Sequence, residues 1–165
     1  MKLLILGAGQ YGAVAKEIAE AMNCYEKIDF LDDNNVIAVG KISDYQLLRS
    51  LYDSAVVAIG NSKLRINYIE KLKKAGYEIP NLIHPKSYVS PSVKIGVGCI
   101  IEPFAGINAN VEIGIGCLFS MGCLVNHNAL VENGCHIDCG AIVSARELVP
   151  EGTKVISGMV FRNEI

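Results

Sequence analysis

From Ile83 to Val143 an aliphatic or aromatic residue returns at every sixth position, through Val89, Ile95, Ile101, Ile107, Ile113, Phe119, Val125, Val131 and Ile137. Four places after each stands a small or short residue: Ser87, Val93, Cys99, Ala105, Val111, Cys117, Cys123, Ala129, Cys135 and Ala141. A period of six is neither the 3.6 of an amphipathic helix nor the plain alternation of a half-buried strand. It is the period of a parallel β-helix, in which one large side chain per hexad enters a narrow core and a small one fits near the corner. Three hexads close one triangular coil of about eighteen residues, and stacked strands lie about 4.8 Å apart. The series predicts roughly three and a half coils, a prism on the order of 15 to 20 Å tall. Past Val143 it is expected to dissolve into Ser144-Ala145-Arg146-Glu147, with a short C-terminal cap through Val149-Pro150-Glu151-Gly152.

The repeat begins only halfway along the 165 residues, so two domains are expected, 1–80 and 81–165. The first half has a different grammar. Lys2 to Leu6 reads as a buried strand and runs into Gly7-Ala8-Gly9-Gln10-Tyr11-Gly12, followed by a helix with Val14, Ile18, Ala19 and Met22 on one face. Strand, G-x-G-x-x-G and helix in that order form the dinucleotide fingerprint, in which glycines let a phosphate approach the helix N-terminus. Ile28 to Leu31 makes a second strand ending in Asp32-Asp33-Asn34-Asn35, and Lys41 to Tyr52 reads as a short helix. Ser54 to Ile59 is a third strand, closed by Gly60-Asn61-Ser62 and a helix from about Lys63 to Ala75. The glycine loop, the paired acids and Gly60 all fall at the carboxyl ends of parallel strands, where open α/β sheets bind ligands. The fold class is therefore an α/β Rossmann-like N-terminal domain followed by a parallel β-helix. The β-helix replaces the second mononucleotide half, which argues against full NAD binding.

The formal charge of −2 and the absence of a basic stripe exclude a nucleic-acid binder as the natural reading. The opening MKLLILGAG is too short and too soon broken by glycine for a signal peptide or a span, so a cytoplasmic protein without membrane insertion is expected. Four of the six cysteines, Cys99, Cys117, Cys123 and Cys135, fill the small slot of the repeat, as buried hydrophobes rather than metal ligands. Three histidines are present. His84 precedes Pro85 at the mouth of the first coil and reads as a turn residue. His127 holds the third place of its hexad, near a corner. His136 holds the sixth place of the next, and the two are expected on neighbouring edges of the prism. A zinc lyase needing three converging histidines is disfavoured, because His84 lies more than two coils below His127 and the set cannot assemble within one protomer.

At these residues the chain resembles the sialic acid O-acetyltransferase and UDP-4-amino-sugar N-acetyltransferase family, the NeuD/PglD type. The likeness spans essentially the whole chain, including the glycine loop, Phe30-Leu31-Asp32-Asp33, Ala58-Ile59-Gly60-Asn61, Ile83-His84-Pro85 and Val149-Pro150-Glu151-Gly152. It implies a left-handed β-helix, an exception to the usual right-handed crossover. It implies an acetyl-CoA-dependent acetyltransferase acting on a nucleotide-linked amino sugar or a sialic-acid-type sugar for a surface glycan, with acetyl-CoA as acyl donor and no metal. The family's Asn-Thr-Gly-x-x-x-Asp-His-Asp/Glu centre corresponds to Ser120 through Asn128. By that match His127 is the general base, Asn128 its partner, and His136 and Gly140 lie beside the coenzyme. Gly9, Gln10, Tyr11, Asp32, Asp33 and Gly60 match positions that hold the nucleotide-sugar, and the site falls between protomers of a homotrimer. Three departures accompany the match. Asn128 replaces the acid after the base, Ser120 and Met121 replace asparagine and threonine, and about one coil after the second histidine is missing, which shortens the pantetheine groove. These departures frame an alternative, a weakened or inactive relative that binds a nucleotide-sugar or a partner enzyme.

Overall fold

The structure is a computed structural model and describes residues 1–162. Residues 163–165, the tail of the expected second domain, lie outside the described residues. Three parallel strands, β1 (Lys2–Leu6), β2 (Lys27–Leu31) and β3 (Ser54–Val57), form a sheet in the order β2-β1-β3. Helix α1 (Gln10–Ala21) covers one face, burying Ala15, Ile18 and Ala19. Helix α2 (Ser62–Lys74) covers the other with Ile69 and Leu72, beside Tyr45, Tyr52 and Tyr77.

The helix expected over Lys41 to Tyr52 is only a 3₁₀ turn at Ile42–Gln46 followed by loose turns. A tertiary donor occupies a carbonyl that a longer helical ladder would use, the Tyr77 hydroxyl donating to Tyr45 O at 2.6 Å, and the Arg49 guanidinium donates to Tyr52 O at 3.0 Å at the segment's end.

The second half is a left-handed solenoid of two-residue strands in three sheets. The first sheet stacks Leu82–Ile83, Ile100–Ile101, Leu118–Phe119, His136–Ile137 and Lys154–Val155. The second stacks Tyr88–Val89, Gly106–Ile107, Leu124–Val125, Ile142–Val143 and Val160–Phe161. The third stacks Lys94–Ile95, Glu112–Ile113, Leu130–Val131 and Leu148–Val149. Register is the expected one, each residue pairing with the one eighteen further on, as Leu118 does with His136. The period-six residues and the small slots from Val93 to Ala141, including the four cysteines, fill one continuous core.

The expected end of the pattern is corrected. Strands continue at Leu148–Val149, Lys154–Val155 and Val160–Phe161, so the segment after Val143 is coil rather than cap, and a coil does follow His136. Inward Val149, Val155 and Phe161 keep the period, but Glu147 and Thr153 occupy the small slot, and polar residues there hide the repeat.

The corners explain the remaining sequence. Residues 98, 104, 110 and every sixth one to 158 adopt left-handed φ between 57° and 72°. Glycine enters that region without penalty and asparagine at a small one, which accounts for Gly98, Asn110, Gly116, Gly122, Asn128, Gly134, Gly140, Gly152 and Gly158.

The two halves share a core. Leu82, Ile100 and Leu118, the outward residues of the first sheet, are buried in one cluster with Leu3, Ile5, Ala15, Ile18 and Val56. At the corner between the third and first sheets, α2 lies on a column of glycines. A Cβ at Gly98 would come within 2.9 Å of Ile69 and one at Gly116 within 2.8 Å of the same side chain. One at Gly134 would collide with Ser62 Oγ.

Candidate functional site

Three groups of candidate residues occupy three places. The first is the carboxyl edge of the small sheet. Gly7 has φ of 101°, and a Cβ on it would meet Ala58 O at 2.9 Å; a Cβ on Gly12 would collide with the Gly7 carbonyl. Gly9, the N-cap of α1, would meet nothing within 4 Å, and neither would Gly60. The outer glycines thus serve the turn and the helix packing, while Gly9 and Gly60 leave open space beside helix N-termini. Gly9, Asp32, Asn34, Asn35 and Val36 line a cleft of about 380 Å³. Gln10 is exposed at its rim.

Asp32 is a brace of this edge. Its carboxylate accepts from the N–H groups of Ala8 at 2.8 Å and of Asn34 and Asn35 at 2.9 Å, and the Ala8 bond foremost holds it below the usual carboxylate range. Asn35 Nδ2 donates back to Ala8 O at 2.6 Å. Asp33 accepts from Ile42 N at 3.1 Å and so fastens the 3₁₀ turn.

The second place is the junction between α1 and the first solenoid sheet. Tyr11 turns away from the cleft: its ring meets His136 edge-on, with centroids 6.2 Å apart, and its hydroxyl is enclosed without a well-aligned partner. Burial, then the nearby Glu102 carboxylate, pushes the Tyr11 phenol well up. Glu102 is itself buried, which raises its carboxyl, although its Oε2 accepts from Met121 N at 3.1 Å. His136 Nε2 lies 2.9 Å from the buried Ser120 Oγ. Burial holds this imidazole below its ordinary value, and Asp138, bound to Lys154 at 2.9 Å, counters only in part.

The third place is the corner between the second and third sheets, where His127 stands half-buried between exposed Asn126 and Asn128. Asn128 Nδ2 is 3.3 Å from His127 Nδ1. With the amide in that sense Nδ1 is an acceptor; rotating the amide by half a turn presents Oδ1 to an Nδ1–H. Either way Nε2 faces away from Asn128. One coil below, Asn108 Nδ2 donates to Asn126 Oδ1 at 3.3 Å. Beside this corner the second sheet carries an apolar groove of about 370 Å³ lined by Tyr88, Gly106, Asn108, Leu124, Asn126 and Ile142.

His127 and His136 therefore do not meet within the chain, and the expectation of neighbouring edges is corrected. His136 projects from the middle of the first sheet, and His127 occupies the corner opposite that sheet, with the hydrophobic core between them. Gly140 sits on the corner between the first and second sheets, φ 64°, and a Cβ there would meet nothing within 4 Å. His84 accepts from Lys86 N at 3.0 Å through Nδ1, a turn contact. Among the described residues no group of three His, Cys, Asp or Glu side chains is disposed to hold a metal ion, and no helix is long and apolar enough to cross a membrane.

Sequence reasoning missed Glu102 and Arg65. Arg65 shares the buried stripe of α2 with Ile69 and Leu72, and a cation at an apolar-stripe position was the available signal.

A family model described as the PglD N-terminal domain matches residues 2–72. The chain superposes on the acetyltransferase domain of PglB from Neisseria gonorrhoeae in complex with acetyl coenzyme A, with a TM-score of 0.89 and 32% identity over 98% of this chain and 82% of that one. A second structure of that PglB domain matches with a TM-score of 0.72 and 28% identity, over 99% of this chain and 92% of that one. A point mutant of perosamine N-acetyltransferase from Caulobacter crescentus, in complex with CoA and GDP-perosamine, has the same fold. Its TM-score is 0.69 at 24% identity, over 97% of this chain and 90% of that one.

Proposed function

Because this chain belongs to the NeuD/PglD-like family of sugar acyltransferases, we propose that it transfers the acetyl group of acetyl-CoA to the amine of a nucleotide-linked amino sugar used in a surface glycan. A sialic-acid-type hydroxyl is the other acceptor of the same class. The observation that carries this reading is the pairing of an open glycine edge, suited to a phosphorylated ligand, with an imidazole on an exposed solenoid corner. His127 is the general base. Its Nε2 takes the proton as the amine attacks the thioester carbonyl; the C–N bond forms, the C–S bond breaks, and the imidazolium returns its proton to the leaving thiolate. Backbone N–H groups steady the tetrahedral oxyanion, and no acyl-enzyme forms. The step requires the Asn128 amide turned so that Oδ1 accepts from Nδ1–H, leaving Nε2 unprotonated; the amide brings no charge to the imidazolium, so the base is weaker than one paired with a carboxylate.

The sugar held at the carboxyl edge lies on the α1 side of the prism, and the core separates it from His127 of the same chain. The reaction therefore joins two copies, in a homotrimer whose seams bring His127 of one protomer to the edge of the next. The outward apolar row of Tyr88, Leu124, Ile142 and Val160 supports such a seam. Acetyl-CoA lies along it as a substrate, with His136 and Gly140 beside the pantetheine, in the cytoplasm. The weakened-relative reading rests on Asn128 and Ser120 alone, since a coil follows His136.

Thiol release from acetyl-CoA, measured against a panel of UDP- and GDP-linked amino sugars, tests the proposal. His127→Ala should cost about 10² to 10⁴ in kcat with little change in KM. Turnover that survives this substitution overturns the base assignment.

A further inference from the structure

Arg65 has no part in the chemistry above, yet among the described residues it is the largest fully buried side chain. It lies in the first turns of α2, where the helix dipole is already positive, and among the described residues no carboxylate pairs with it. Four backbone carbonyls take its donors instead. Nε donates to Gly116 O at 2.7 Å and Nη2 to Gly134 O at 2.8 Å, both on the solenoid corner beneath α2. Nη1 donates to Ile59 O at 2.7 Å and Gly60 O at 3.0 Å, in the turn that leads from β3 into α2. A buried cation without an anion breaks a local rule, and such breaches gather at functional sites.

The turn carries the consequence. In a planar trans peptide the C=O and the following N–H point in opposite directions. Arg65 draws the Ile59 and Gly60 carbonyls inward, so the N–H groups of Gly60 and Asn61 face away from it. Among the described residues neither N–H has a protein partner, and the space at Gly60 is open. The adjoining β1–α1 loop opens on the same edge, since β1 and β3 run parallel and Ala58 N donates to Leu6 O at 2.8 Å.

We propose that Arg65 is a positioning residue for the nucleotide-sugar: from behind the β3–α2 turn it aims the Gly60 and Asn61 N–H groups at the ligand's diphosphate. Its bonds to Gly116 and Gly134 hold that turn in register with the coil that presents Ser120 and His136. This inference rests on the functional reading above. Arg65 touches no substrate; it acts through two peptide planes, and its charge is what the incoming diphosphate compensates.

Calorimetric titration of UDP, GDP and CoA against wild type, Arg65→Lys and Asn61→Pro tests it, with melting curves on each protein. Lysine keeps the charge but cannot span four carbonyls in a fork. Nucleotide affinity should fall at least about tenfold, with CoA affinity unchanged within about twofold. Asn61→Pro leaves Arg65 in place and deletes one N–H at a residue whose φ of −67° already suits proline; it also removes the cap that Asn61 Oδ1 gives Leu64 N, a cost the melting curve reads, and the same selective loss is expected. Nucleotide affinity kept in either folded variant, or nucleotide and CoA weakened alike, overturns the inference and leaves Arg65 a structural staple. A wild type that binds CoA but neither nucleotide overturns the functional reading and takes the inference with it.

Discussion

Alanine at Gly134 probes whether α2 is seated on the glycine corner, because two separable costs meet there. Gly134 has φ of 67°, and forcing an L-residue into that region costs about 1 to 2 kcal/mol. The new Cβ would also collide with Ser62 Oγ while lying 3.4 Å from Ile66 Cγ1, and overpacking of this kind adds about 1 to 3 kcal/mol. Gly134→Ala should therefore destabilise by roughly 2 to 5 kcal/mol. Gly122→Ala isolates the backbone cost, since its φ is 71° and its Cβ would meet nothing within 4 Å; about 1 to 2 kcal/mol is expected. Ser62→Ala removes the colliding oxygen and leaves Ser62 Cβ at an ordinary 3.5 Å, so in the double variant the loss should shrink to the Gly122 level, a coupling of at least about 1 kcal/mol. Equilibrium urea unfolding, run at several protein concentrations to separate folding from association, measures all four. Equal losses at Gly134 and Gly122, or no relief from Ser62→Ala, would refute the docking of α2 on this corner.

Asn128→Asp should raise kcat by roughly two- to fivefold, the rate equivalent of an exposed ion pair worth ~0.4 to 1 kcal/mol, because a carboxylate would accept Nδ1–H and stabilise the imidazolium. The backbone at 128, φ 59°, tolerates aspartate, so unfolding should not mask the gain; a rate that stays flat under steady-state assay contradicts the role given to this side chain. Glu102→Gln should raise Tm at about pH 8. Burial lifts the Glu102 carboxyl, so its contribution to stability is complete below the ordinary value of 4.5 and is lost as pH rises through the higher folded value. Glutamine keeps an acceptor for Met121 N–H and carries no charge, so its advantage should shrink toward acid in melting curves taken across pH. An advantage that grows toward acid would contradict the assigned burial.

Much of this molecule was legible in the order of its residues. The period of six set the register of eighteen, and the fingerprint glycines fell into their separate duties, Gly7 for the turn, Gly12 for packing and Gly9 for open space. What stayed hidden depended on contacts between distant segments. The repeat past Val143 was masked because a polar small slot, as at Glu147, breaks composition but not geometry when the inward residue persists. At the 3₁₀ turn Ile42–Gln46 that stands in place of a helix, Tyr77, far along the chain, takes the Tyr45 carbonyl. Tyr11 sits beside the glycine loop in sequence, yet its ring belongs to the solenoid junction, since α1 buries that side against the first sheet.

The relation between the two upper histidines was within reach of arithmetic. In a coil of eighteen residues, a separation of nine is half a turn, and half a turn from a corner of a triangle is the middle of the opposite side. His127 stands at such a corner and His136 follows nine residues later, so the repeat alone places them on opposite sides of the core. Which sheet receives the first domain could not be read in the same way, because the second sheet also carries an outward apolar column, Tyr88, Leu124, Ile142 and Val160. In the first sheet Leu82, Ile100 and Leu118 succeed one another at intervals of eighteen before His136 and Lys154 take over, so the apolar part of that column ends where the polar junction begins. A compact ligand cannot touch both imidazoles of one chain at once, since the packed interior blocks every straight path from one ring to the other.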